Sequence, residues 1–406
     1  MTTTKNNEHK KLNVPNLRFP EFQGEWTTSL LSDYLTENKE RNKKGEFDKT
    51  DVLSVSGDYG IVNQIELLGR SFAGASVLPY HVVRHGNIVY TKSPLKEYPY
   101  GIVKANTGVD GIVSTLYAVY NIKNNVDAQF IEYYFSSANR TNRYFKPIVR
   151  IGAKHDMKIG NQEVLANKVT FPNLKEQTKI ASLFRFLDER IATQNKIIDK
   201  LQSLIKGINQ SIFMNNNVIN YKLGEVCEIR SGYSGNQLLS KKGLKVSRIE
   251  TISGHKVNME RVGYVAPFES SENYRLRVGD ILFSNINSVE YIGNTAFIDK
   301  DYDLYHGMNL LRLTPNNMVV IPFYLYLLLN TNRMLNHFKT VCNKAVSQAS
   351  INQTELGKTV IQIPPIKTQE QICELYQALY TKLETASHIK SLFQNQKQYM
   401  LRQMFI

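Results

Sequence analysis

The sequence predicts an α/β (α+β) chain made by internal duplication, with two mixed modules and two long coiled-coil helices. Three observations carry this. First, residues 171–214 place Ile180, Phe184, Leu187, Ile191, Gln194, Ile198, Leu201, Ile205, Ile208 and Ile212 at alternating steps of four and three. That 3.5-residue period marks a helix with a coiled-coil seam, and the polar lapse at Gln194 is of the kind that fixes register. Second, F-P-N-L-K-E-Q-T-K-I from Phe171 returns without a gap as I-P-P-I-K-T-Q-E-Q-I from Ile363, an offset of 192. Third, the segments ahead of both runs are short apolar stretches punctuated by glycine, a pattern of many short strands.

Taken in order, residues 1–14 read as a polar, flexible tail and residues 15–171 as a first module. Within it Leu30, Leu31 and Tyr34 form an amphipathic turn, and residues 37–49 form a charged loop. Strands are expected at 52–55, 61–65, 88–91, 102–104 and 116–120, and helices at 128–137 and around 141–145. The first long helix occupies 172–214. Asn173 and Glu176 have capping-box spacing at its start, and Asn215, Asn216 and Asn217 tolerate the left-handed turn that ends it. A 38-residue run from Glu176 to Phe213 would be ~57 Å long. Gly207 inside it costs about 1 kcal/mol against Ala. A helix of that length with one apolar seam needs a partner, and the second copy supplies one.

The second module, 215–363, repeats the programme. Leu223, Gly224 and Glu225 fall on Leu31, Ser32 and Asp33, R-V-G-D-I-L-F from Arg277 echoes R-H-G-N-I-V-Y from Arg84 at an offset of 193, and the helix at 321–330 echoes that at 128–137. The second long helix, 364–406, keeps Ile372, Tyr376, Leu379, Leu383, Phe393, Met400 and Met404 in the seam. Ala386, Lys390 and Lys397 make it the looser copy. Thr368 and Gln371 have capping-box spacing. One frame carrying two fillings implies one kind of task performed on two targets.

Charge narrows that task. The net charge is +14. Residues 1–214 carry 29 Lys and Arg against 21 Asp and Glu, and the remainder 21 against 15, so both halves are basic. This favours a polyanion partner, above all nucleic acid. The chain lacks a run of ~18 apolar residues, which argues against a membrane span. Three cysteines, Cys227, Cys342 and Cys373, fit a reducing cytoplasm and neither a disulfide framework nor a zinc ribbon.

Catalytic signatures are absent or weak. No phosphate loop G-x-x-x-x-G-K-[ST] and no glycine-rich methyl-donor loop occurs. Pro364-Pro365 resembles part of the adenine-methyltransferase N-P-P-[YF] motif, but Ile363 precedes it and Ile366 follows, so it reads as a helix start. His81 and His85 have the spacing of a helical metal pair, yet run into an apparent strand without a nearby third ligand. Asp33 with Glu37-Asn38-Lys39 loosely resembles a nuclease carboxylate–lysine pattern and reads as a charged loop. No catalytic residue, metal or cofactor is assigned.

The candidate DNA-binding residues lie in two pairs of equivalent loops. In the first module these are Lys92, Ser93, Lys96, Tyr98 and Tyr100, then Arg150, Lys154 and His155. In the second they are Ser284, Asn285 and Asn287, then Lys344, Ser347 and Gln348. Arg and Lys suit phosphates and guanine edges, whereas Asn and Gln suit adenine edges.

Two differently filled basic modules, each followed by P-[NP]-[LI]-K-x-Q and a long helix, resemble the specificity subunit of type I restriction–modification systems. L-R-F-P-E-F from Leu17, Trp26, and S-P-L-K-E-Y-P-Y-G from Ser93 add to the likeness, which spans roughly 15–406. The family's usual P-P-x-x-E-Q is Lys175-Glu176-Gln177 in the first copy but Lys367-Thr368-Gln369 in the second, a departure that touches local capping. The resemblance implies two target recognition domains, each reading half of a split double-stranded DNA site. It implies two long helices packed antiparallel that set the number of unread bases. It further implies a non-catalytic chain, one copy per complex, docking two methyltransferase subunits and joined by ATP-dependent restriction subunits. Two other classes, a methyltransferase or nuclease with degenerate motifs and a coiled-coil interaction protein without a DNA role, stand as alternatives.

Overall fold

The computed structural model describes residues 12–151, 157–211, 217–345 and 348–406. The chain divides into two compact units, 1–195 with 388–406, and 196–387. Each unit contains one module together with one half of each long helix.

In unit 1 a four-stranded antiparallel sheet has the spatial order Leu35–Glu37, Tyr117–Ile122, Ile88–Thr91, Val103–Ala105. Alternation along these strands sends Ile88, Tyr90, Ala118 and Tyr120 to one face, where helices Ala128–Tyr134 and Ala138–Phe145 cover them. Val89 and Val119 face the other way, into a pad of Leu53, Ile61, Val83 and Val113. Leu53–Ser56 with Gly60–Asn63, and His81–Val83 with Gly111–Val113, form that pad. The expected strands are present. Ile65 instead opens a short helix, Gln64–Leu68, because the Asn63 side chain accepts from the N–H groups of Ile65 and Glu66 and caps it.

Unit 2 repeats this sheet as Cys227–Ser231, Leu311–Pro315, Ile281–Phe283, Thr295–Phe297, with helices Pro322–Leu329 and Asn332–Val341 on one face. The duplication is finer than the sequence motifs suggest. A two-stranded ribbon pairs Thr27 with Phe171 in unit 1 and Ile219 with Ile363 in unit 2, both shifted by 192. Ile88 pairs with Tyr120 and Ile281 with Leu313, both shifted by 193. Asp33 accepts from the Leu30 N–H at 3.1 Å, and Glu225 from that of Lys222 at 2.8 Å. The echo around Arg84 and Arg277 has a structural cause. Asn87 and Asp280 each accept the N–H three residues back, at 2.8 Å, and each bonds across the sheet, to Asn121 and Thr314.

The two long helices, Leu174–Ser211 and Ile366–Gln403, are 38 residues each. In unit 1 Phe184 lies against Phe405, and Asp188 pairs with Lys397, so the helices run antiparallel. In unit 2 the Tyr376 hydroxyl donates to Asn209, with Ile205 and Ile208 packed beside Ile372 and Tyr376. The predicted seam is the less exposed stripe. Ile180, Phe184 and Leu187 are buried, whereas Ile191, Gln194, Ile198, Leu201, Ile205 and Ile208 are half-buried. Ile212 and Phe213 lie outside the described residues, as do Asn215 and Asn216 of the expected helix end.

Both helix starts differ from the expected capping boxes. The first helix begins at Leu174. Asn173 accepts from the Glu176 N–H at 3.0 Å, but the Glu176 carboxylate turns to Arg18 instead, at 2.7 Å to both Nε and Nη2, and takes the Trp26 indole N–H at 3.2 Å. That pairing raises the Arg18 pKa. The second helix begins at Ile366, two residues before Thr368. Two prolines leave no N–H to satisfy, and the Pro365 carbonyl accepts from Thr368 and Gln369 at 2.9 and 3.2 Å.

What both copies share is the next residue. Gln177 and Gln369 are fully buried. Gln177 donates to the carbonyls of Pro172 and Asn125 and accepts from the Asp127 N–H. Gln369 donates to Pro364 and Val319 and accepts from Ile321. Each glutamine therefore ties the first turn of a long helix to the start of the helix that backs its sheet. Replacing Gln177 or Gln369 with Leu should destabilise the unit concerned by about 2–4 kcal/mol, since three buried backbone groups lose their partner. Denaturant unfolding of each variant checks this, and an unchanged midpoint would contradict it.

Candidate nucleic-acid interface

In unit 1 the strand Ile88–Thr91 runs into residues 92–101. Leu95 and Tyr98 close a tight turn through mutual backbone bonds of 3.0 and 3.1 Å. Gly101 returns the chain at φ +84°, and a Cβ there would stand 2.0 Å from the Thr91 carbonyl oxygen. Ser93 and Lys96 are exposed on the turn. Tyr98 and Tyr100 hold it down. The Tyr98 hydroxyl donates to the Ser136 carbonyl at 2.6 Å, and Tyr100 packs on the core, its carbonyl accepting the Tyr90 hydroxyl at 2.6 Å.

Lys92 belongs to a polar network. Its Nζ donates to Asn161 Oδ1 at 2.6 Å, Asn161 donates to Glu37 at 2.7 Å, and Gln162 donates to the other Glu37 oxygen at 2.7 Å. Burial lowers the Lys92 pKa. Burial pushes the Glu37 carboxyl up, but the two amide bonds outweigh it and leave Glu37 below its usual range. His81 sits nearby in strand His81–Val83, 2% exposed, its Nδ1 without a partner among the described residues. Burial, with Arg41 and Lys92 close by, pushes its pKa down to about 4. His85 is exposed and turns to the Gly108 carbonyl at 3.1 Å, so the two histidines do not converge.

Arg150 is exposed and faces Lys158 across the ribbon Arg150–Ile151 and Met157–Lys158. Like charges directly opposite repel. Lys154 and His155 lie outside the described residues.

Unit 2 brings its two candidate loops together. Ile286–Asn287 joins the ribbon Asn343–Lys344 and Ala349–Ser350 to make one three-stranded sheet. Lys344 and Gln348 are exposed beside it, and Ser347 lies outside the described residues. Ser284 is not on the surface, contrary to expectation. It is fully buried, its N–H donates to the Asn294 carbonyl at 2.7 Å, and its hydroxyl accepts from Asn287 at 3.0 Å. Phe283 ends a strand sunk in the core, and the chain must bury one more residue before it turns out. Asn287 is thereby committed locally. Asn285 is half-buried, its carbonyl accepts from Ile351, and its Oδ1 lacks a partner among the described residues.

Sequence reasoning missed two groups. One is the Glu37–Asn161–Lys92 network, which joins residues 124 apart and has no local signal. The other is an arginine group on the unit 2 sheet, Arg230, Arg275, Arg277 and Arg312. The alternation in C-E-I-R-S and L-R-L-T-P places Arg230 and Arg312 on the face away from the helices and could have revealed it.

Residues 215–392 match the family model of the type I restriction modification DNA specificity domain. That segment, a little under half of the chain, is similar to this family. Among curated relatives, a protein named as the type I restriction enzyme MjaX specificity subunit of Methanocaldococcus jannaschii is 39% identical over 180 residues, 44% of this chain and 42% of that one. The type I restriction enzyme EcoKI specificity subunit of Escherichia coli K12 is 24% identical over 247 residues, 53% and 51% of the two chains. The matches thus span about half the length of these relatives. In fold the likeness covers nearly everything. The S subunit of the type I restriction–modification system from M. genitalium aligns over 97% of this chain and 99% of its own, with TM-score 0.58 and 14% identity. A chain from a structure of type I system assembly and conformational transition aligns over 94% and 97%, with TM-score 0.55 and 17% identity. The fold likeness to these two chains therefore extends through unit 1.

Acid should loosen this fold. His81 in unit 1 and His306 in unit 2 are buried, and burial pushes both pKa values from 6.5 to about 4. The unfolded chain then binds more protons than the folded one between these values, so stability is full above pH 6.5 and is lost as pH falls toward 4. Thermal melts from pH 7 to 4.5 should show this fall, and His81→Gln should flatten it for unit 1. A melt that ignores pH over this window would contradict the prediction.

Proposed function

We propose that this chain is the DNA-reading subunit of a type I restriction–modification complex. The observation that carries the reading is the strand-for-strand repetition of one frame with different loops on it, in a chain whose residues 215–392 match the specificity domain. A restriction target that is split and asymmetric requires two readers of one design and two specificities. Each module then serves as a target recognition domain for one half of a double-stranded site, module 1 within 15–171 and module 2 within 215–363. Ser93, Lys96, Arg150, Lys158, Lys344 and Gln348 are the exposed groups best suited to meet DNA. The basic ones supply phosphate attraction, and base choice comes from a few edge contacts worth ~1–3 kcal/mol each.

The long helices, 172–214 and 364–406, act as the element that fixes how many bases go unread and as the dock for two methyltransferase subunits. Restriction subunits join through those, and one copy of this chain serves each complex. The chemistry resides in these partners, and the chain works in the cytoplasm, where the DNA is. Among the described residues no helix is long and apolar enough to cross a membrane, and no cluster of ligand-type side chains suits a metal.

Mapping methylated positions across the genome tests the reading directly. Exchanging residues 20–170 for those of a relative should change one half-site and leave the other intact. Inserting one heptad into 187–208 and its counterpart in the second helix should lengthen the unread stretch. A site unchanged in both halves and spacing would sink the proposal. Incubated alone with duplex DNA and a methyl donor, or with magnesium, the purified chain should show no turnover; turnover would favour an enzyme instead.

A further inference from the structure

Strand alternation divides the unit 2 sheet cleanly. Ile229, Leu311 and Leu313 enter the core beneath the helices, while Arg230, Arg312 and Thr314 take the opposite face. Arg230 stands directly opposite Arg312 across the antiparallel pair. Two like charges in that relation repel, so the frame alone gives no reason to keep them. Arg312 is 8% exposed. Its Nη1 donates to the Arg275 carbonyl at 3.2 Å, and its Nε is buried without a partner. No carboxylate lies within ion-pair reach of it among the described residues.

Glu228, Glu272 and Asp280 line the same walls and are already engaged, Glu272 by the Tyr305 hydroxyl at 3.3 Å. Glu228 pairs with Arg230. The Asp280 oxygens accept from Thr314 at 2.6 Å and from the Arg277 N–H at 2.8 Å. Arg275 pairs with Asp301 at 3.0 Å. Two adjoining depressions, of about 330 and 460 Å³, share Arg230, Asn273 and Arg312 in their walls. Unit 1 has nothing comparable. Asn38 and Val119 occupy the corresponding pair of positions, and Val119 is packed in the apolar pad. A guanidinium buried without a counter-charge is costly, and an anion seated in the depression would offset that cost.

We propose that this depression is a binding site for a phosphate group. Arg312 presents the planar donor fork, beside Arg230, which an anion would share with Glu228, and Asn273 as a neutral donor. Either a DNA backbone phosphate or a free phosphate has this chemistry. Only the DNA source rests on the function proposed above.

Titrating inorganic phosphate into the full chain at constant ionic strength, followed by phosphorus NMR, tests the site. Wild type should bind saturably, and Arg312→Gln should weaken binding roughly tenfold or more, with Arg312→Lys between them. The second arm measures DNA affinity against salt for the chain assembled with its methyltransferase subunits. If the phosphate is DNA's, Arg312→Gln should reduce the log–log slope by about 1 without altering site preference. Loss of inorganic phosphate alone, with an unchanged slope, assigns the site to a free phosphate. If Arg312→Gln does not fold, Arg230→Gln, at a half-exposed position, takes its place. A folded variant that changes neither phosphate binding nor the slope overturns the proposal. A wild-type complex that ignores DNA sinks the reading subunit but leaves the phosphate arm standing.

Discussion

Everything in this protein hangs on a glutamine buried at the root of each long helix. A long helix joined to a module by a simple hinge would swing. Gln177 and Gln369 prevent that by spending both ends of one amide on fixed backbone groups. Two donated bonds hold the carbonyl before the long helix and one in the loop ahead of the helix behind the sheet. One accepted bond holds the N–H of the residue that caps that helix. Because the side chain is sealed from water, no solvent bond replaces any of these, and the geometry is enforced by the cost of leaving them unmade. A charged residue there would pay desolvation, and a shorter one would not reach.

With the root fixed, the rest of each module can diverge. The frame strands coincide at shifts of 192 and 193, and the material between them does not. Both sheets carry an apolar pad on the outer face, but unit 2 also brings chains into contact close enough that Gly232 and Gly307 leave no room for a Cβ. Different cover produces different surfaces, an amide and carboxylate network around Lys92 in one and arginines around Arg312 in the other. Divergence of this sort is inexpensive to the fold because the core beneath the helices, from Phe130 and Phe145 to Phe338 and Leu325, is untouched by it.

How much of this could be read from sequence follows from whether the signal is local. The seam from Ile180 to Ile208 and the strands around Ile88 and Ile281 are set by periodicity, and both were legible. The repeat was legible too, down to Asn87 and Asp280, because a residue that caps its own turn keeps its motif. The loops were harder. Lys96 and Lys344 are exposed, as expected, but Ser284 is sealed in the core and Tyr98 and Tyr100 serve as anchors. A polar residue in a glycine-flanked stretch looks the same in sequence whether it points outward or fastens the loop down. Arg18 and Glu176, 158 residues apart, could not be paired by inspection at all.

That pair also explains why the copies differ at Glu176 and Thr368. Glu176 is completely buried, yet it is tolerated because the Arg18 fork and the Trp26 indole N–H supply three donors to its two oxygens. Charge burial on these terms adds little net stability, but breaking one partner is expensive, so the pair acts by specificity. Arg18 can fill this place only if residues 13–26 lie along unit 1, where Asn13 accepts from Trp26 and Leu17 donates to Gln403 near the end of the second helix. The acid at 176 thus selects one arrangement of the N-terminal segment over any other. At Thr368 the corresponding helix start is completed by the Pro365 carbonyl, and a neutral residue suffices. The lost acid in the second copy is therefore a consequence of what packs against the helix root, and the glutamine beside it, which must serve both roots, stays the same.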